Sequence, residues 1–93
     1  MKTRITIELE LNASGIPFVE RPPEALLECR CAPVEPGRPA SIEIQGNEAG
    51  LRWLAEKALA VANARPDGYH VHLGKDEGLL GGELIIARRS RQH

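Results

Sequence analysis

Residues 4–11 alternate strictly, with Ile5, Ile7, Leu9 and Leu11 on one side and Arg4, Thr6, Glu8 and Glu10 on the other. A period of two marks a half-buried strand, so a first strand is expected here. Asn12-Ala13-Ser14-Gly15 then supplies turn residues, and Pro22-Pro23 excludes both helix and central-strand pairing around it. Leu27, Cys29 and Cys31 alternate with Glu28 and Arg30, which reads as a second strand with both cysteines on its apolar side. A proline-rich loop over 33–39 leads to Ser41-Ile42-Glu43-Ile44-Gln45, a third strand with Ile42 and Ile44 facing inward, closed by Gly46.

The period then changes. Asn47 suits an N-cap, because its side-chain oxygen can accept from free N–H groups of the first turn, and Glu48 complements the positive end of the helix dipole. A helix is therefore expected from Glu48, with Leu51, Leu54, Ala55, Ala58 and Ala62 as its apolar stripe and Arg65-Pro66-Asp67-Gly68 as its stop. Tyr69, Val71 and Leu73 alternate with His70 and His72 in a fourth strand, and Leu84-Ile85-Ile86-Ala87 forms a fifth after a glycine-rich return. The expected fold is α+β: an antiparallel sheet of about five strands with one amphipathic helix packed on one face, in the order β-β-β-α-β-β. The 93 residues are expected to form a single domain, with 88–93 as a frayed basic tail.

Composition narrows the class. One Trp, one Tyr and one Phe leave the core to Leu, Ile, Val and Ala, and no deep aromatic pocket is expected. Twelve basic against thirteen acidic residues give no field that would draw nucleic acid or anionic lipid. No apolar run approaches a membrane span or a signal-peptide block, so the expected setting is the cytoplasm, with reduced cysteines and no cofactor.

Two arrangements could carry chemistry. Cys29-x-Cys31 and His70-x-His72 each put two ligand-type side chains on one face of a strand, and together they would supply the four donors of a tetrahedral zinc site. The alternation argues against this, because the cysteines share the apolar side with Leu27 while the histidines lie opposite Tyr69, Val71 and Leu73. His70 and His72 alone remain candidates for a small metal-binding or hydrolytic module. No nucleophile elbow, phosphate-binding glycine loop or zinc-protease motif accompanies them, so catalysis is not expected. Trp53 falls about 160° around the helix from Leu51, away from the apolar stripe, and is either covered by the proline-rich loop or an anchor for a partner. An open sheet face bearing Glu8, Glu10, Glu43, His70 and His72 is a natural place to dock a protein.

The run Gly46-Asn47-Glu48-Ala49-Gly50-Leu51-Arg52-Trp53-Leu54-Ala55, then Gly68-Tyr69-His70-Val71-His72-Leu73, then Glu83-Leu84-Ile85-Ile86, resembles predicted immunity proteins of bacterial polymorphic toxin systems, in particular the thirty-second numbered immunity family. The resemblance covers residues 42–88, with Gly46, Asn47, Gly50, Leu51, Trp53, Tyr69, His70, His72 and Leu73 at the matching positions. It implies a non-catalytic cytoplasmic protein that binds a cognate toxin domain and blocks it; taken together with the open polar face and the tryptophan, the expected partner contacts are His70, His72, Glu8, Glu10, Glu43 and Trp53. Cys29 and Cys31 lie outside the pattern. A self-associating interaction domain is the remaining alternative, and the chain is expected to be a monomer or a homodimer.

Overall fold

The structure is a computed structural model and describes residues 1–32 and 35–89. Its elements run β1 (Glu10–Leu11), β2 (Pro17–Phe18), β3 (Leu27–Cys31), β4 (Ile42–Gly46), α1 (Glu48–Asn63), β5 (His70–Leu73), a 3-10 turn at Lys75–Glu77, β6 (Leu79–Leu80) and β7 (Leu84–Ala87). The α+β class and the helix agree with expectation, but the described residues do not form a continuous five-stranded antiparallel sheet. Three pieces stand in its place: β1–β2, β4–β3–β6 and β5–β7. Strand β6 is parallel to β3, with Leu27 opposite Leu79 and Glu28 opposite Leu80. It lies between Gly78 and Gly81, whose φ angles of 95° and 86° bend the chain sharply on both sides. Two residues leave no alternation to detect.

The expected first strand is the largest departure. Only Glu10 and Leu11 pair, with Phe18 and Pro17, across a turn in which Asn12 Oδ1 accepts from the amides of Ser14 at 2.9 Å and Ile16 at 3.0 Å. Residues 1–9 join no strand, and Ile5 is 74% exposed. Alternation gives a segment one apolar face, but a strand also needs an edge to pair with, and within the chain this segment is paired to none.

The helix begins at Glu48 on the Asn47 cap as expected, yet presents a different face. Gly50, Trp53, Ala60 and Val61 are its buried residues, whereas Leu51 is 45% exposed and Ala55, Ala58 and Ala62 face solvent. Apolar residues surround this helix on more than one side, so periodicity allows two solutions, and the one that buries indole prevails because an aromatic side chain withdraws far more area from water than an alanine row. Trp53, at 2% exposure, joins Leu27, Cys29, Leu73 and Leu79 in the core, with Val19, Leu54, Leu84 and Ile86 packed around them. No proline-rich loop is needed to cover it. Arg21 stands with its guanidinium carbon 6.0 Å from the indole centroid and donates from Nη2 to the Ala25 carbonyl at 2.6 Å.

Asn47 does more than cap. Its Oδ1 accepts from Gly50 N at 2.7 Å and Leu26 N at 3.0 Å, and its Nδ2 donates to the Glu24 carbonyl at 2.7 Å. The helix N-terminus is thus latched to the segment that enters β3. At the other end Arg88, placed in advance in a loose tail, is half-buried and pinned: Nη1 donates to the carbonyls of Ala62 at 3.2 Å and Ala64 at 2.8 Å, and Nη2 to Pro66 at 2.8 Å. These carbonyls have no helical partner, and a cation suits the negative end of the dipole. The remainder of the expected tail, from residue 90, lies outside the described residues.

Candidate functional site: the outer face of the β5–β7 hairpin

Strands β5 and β7 are antiparallel, with His70 opposite Ala87, Val71 opposite Ile86, His72 opposite Ile85 and Leu73 opposite Leu84. Leu73, Leu84 and Ile86 pack into or against the core, so the alternate positions His70, His72, Ile85 and Ala87 point outward. The two imidazoles meet edge to face, with centroids 5.1 Å apart and an interplanar angle of 67°. Each ring is held by its Nδ1, at 3.3 Å from the Gly68 carbonyl oxygen in His70 and 3.2 Å from Glu83 Oε1 in His72. A neutral imidazole that donates from Nδ1 leaves its Nε2 as a free acceptor. The face therefore presents two oriented ring nitrogens, one carboxylate and the exposed side chain of Ile85.

Not every residue expected on one open face lies there. Glu43 is on β4, opposite Arg30, which itself pairs with Glu28; Glu10 is on β1, and Glu8 belongs to no strand. Trp53 is inside the protein and cannot anchor a partner in this conformation. Glu83 and Ile85, by contrast, are not among the site residues expected from the sequence. The only signal was parity: once Leu84 and Ile86 face inward, their neighbours must face out, but Leu84–Ala87 reads as an unbroken apolar run.

The cysteines and histidines occupy different faces and different sheets. Cys29 is buried in the core and Cys31 is exposed, opposite Ile44 and Ile42 respectively on β4. Among the described residues no three His, Cys, Asp or Glu side chains are grouped so as to hold a metal ion. Burial, followed by the neighbouring Cys31, pushes the Cys29 thiol above its ordinary pKa. Since the thiolate is the reactive form, Cys31 is expected to react with an aromatic disulfide reagent at mildly alkaline pH while Cys29 reacts only on unfolding. Thiol titration should give one fast equivalent, abolished by Cys31→Ser; two fast equivalents would refute the burial of Cys29.

No helix among the described residues is long and apolar enough to cross a membrane. The shallow depressions of the surface include one of about 320 Å³ lined by Leu26, Leu27, Glu28, Gln45, Gly46, Asn47 and Leu80, which contains no acid–base or nucleophile–base pair.

The two-histidine face, the helix and its Asn47 cap all fall in one continuous stretch, and that stretch is the one a known family shares. The family model described as Immunity protein 32 matches residues 41–88, just over half of the 93-residue chain. No curated protein and no solved structure matches. By this match across β4, α1, β5, β6 and β7, the chain belongs to the Immunity protein 32 family.

Proposed function

We propose that this protein binds a cognate toxin domain in the cytoplasm of the cell that makes it and neutralises the toxin by occlusion, without catalysis. The observation that carries the reading is the family match over residues 41–88, which contains every residue of the outward β5–β7 face. His70, His72 and Glu83 are the contacts we assign to the toxin, with Ile85 as the apolar centre. Oriented imidazoles with free Nε2 atoms and an adjacent carboxylate suit a surface rich in Lys, Arg and hydrogen-bond donors, and the exposed isoleucine supplies area that a partner can withdraw from water. Glu43, Glu8 and Glu10 add negative charge elsewhere on the surface, where they would steer a basic partner rather than touch it.

Co-expression tests this. The toxin-like product of the neighbouring gene should arrest growth when expressed alone and be tolerated beside this protein, with the pair co-purifying as a complex. Growth arrest that persists despite soluble expression of both chains would overturn the proposal. Replacing His70 and His72 together with alanine should weaken protection while leaving the melting temperature within about 4 °C, because exposed substitutions away from the core rarely change stability by more than ~0.5 kcal/mol.

A further inference from the structure

Among the described residues, a strand with a free outer edge and a strand-like segment that joins no sheet occur together. One is β4, the outer strand of its sheet, which pairs only with β3 among the described residues and is exposed along its whole length. Its residues Ile42 and Ile44 continue the apolar face of β3, yet stand 65% and 36% exposed. The other is the segment of residues 3–9, whose alternation is that of a strand although it joins no sheet. An unpaired edge flanked by uncovered isoleucines is a template for an incoming strand.

From these we infer that two copies of the chain associate by strand exchange, residues 3–9 of each adding antiparallel to the free edge of β4 in the other. Pattern and charge select the register. With Ile5 opposite Ile44 and Ile7 opposite Ile42, all four isoleucines fall on the apolar face. The polar face then sets Arg4 opposite Gln45 and diagonal to Glu43, with Thr6 opposite Glu43 and Glu8 opposite Ser41. Slipping by two residues, to set Ile7 opposite Ile44, would put Glu8 directly opposite Glu43, a like-charge pair. The basic end of the arm also lies toward Glu48 at the helix start, and its acidic end toward Arg38. Within one chain the arm is held at its root by the pairing of Glu10 and Leu11 with β2, and it does not lie on its own β4. Exchange of identical segments closes a two-fold dimer with no open edge left on β4.

The oligomeric state of the full chain under reducing conditions tests this independently of any toxin. Light scattering or sedimentation should give twice the 10.2 kDa chain mass. Ile5→Asp and Ile44→Asp should each give monomers that keep a cooperative thermal melt, both sites being solvent-accessible in the isolated chain. Arg4→Glu should weaken association by about tenfold, and adding Glu43→Lys should recover most of the loss. A wild-type chain that stays monomeric from micromolar to millimolar concentration overturns the inference, as does a dimer that survives removal of residues 1–8.

Discussion

Replacing Trp53 with alanine is expected to cost about 3–5 kcal/mol, the range for deleting a fully buried aromatic side chain. In a domain of this size that corresponds to a melting temperature lowered by roughly 12–40 °C. The indole touches the faces of both larger sheets through Leu27, Cys29, Leu73 and Leu79, so its loss opens a cavity at the junction that holds the fold together. Trp53→Phe should be far milder, because Trp53 Nε1 is buried without a hydrogen-bond partner among the described residues and phenylalanine removes that orphaned donor along with the smaller ring. A thermal melt followed by circular dichroism measures both. If Trp53→Ala melted like the wild type but failed to bind a partner, the residue would be a surface anchor and its position in this core would be wrong.

Gly50→Ala should destabilise the protein by about 2–3 kcal/mol, reversing the sign expected inside a helix, where Ala is ordinarily better than Gly by about 0.5–1 kcal/mol. The reason is close approach. A Cβ on Gly50 would lie within the van der Waals radius of the Leu26 carbonyl oxygen, a backbone atom that cannot rotate away. Asn47 holds that same segment against the helix start through Leu26 N and the Glu24 carbonyl, so relieving the clash means breaking the latch. Gly82 provides the control: an added Cβ there meets nothing within 4 Å, and Gly82→Ala should leave the melting temperature nearly unchanged. A neutral or stabilising Gly50→Ala would refute the close packing of helix and loop. The Gly-Asn-x-x-Gly motif therefore has a structural explanation, whereas His70, His72 and the exposed Leu51 are accounted for by neither cap nor core.

How far the sequence disclosed this architecture depended on whether a signal was local. Asn47 and Glu48 announced the start of α1 because capping is settled within four residues. Strands β3, β4, β5 and β7 were legible from alternation or from short β-branched runs between turns. Pairing was not, because it joins distant residues: Arg4–Leu9 has a strand's pattern without a strand's partner, and β6 is too short to have a pattern at all. The helix face was misjudged for another reason. Small alanines and large leucines count equally in a periodicity, whereas burial follows area, and one tryptophan outweighed the alanine row. In the candidate site, the outward direction of His70 and His72 was readable from Tyr69, Val71 and Leu73, but Glu83 became visible only when β7 was set in register against β5.

The outer β5–β7 face is where we place the bound toxin. Calorimetric titration of the neighbouring gene's toxin domain, in a catalytically inactive form, into wild-type protein and into His70→Ala/His72→Ala, Glu83→Ala and Ile85→Asp variants measures that directly. A saturable complex with the wild type, and affinity reduced at least about tenfold by each of these changes without loss of thermal stability, is the predicted result. Tight binding that none of the three changes disturbs would contradict the assignment of this face, and no heat of binding with any neighbouring toxin domain would contradict the toxin-binding role itself.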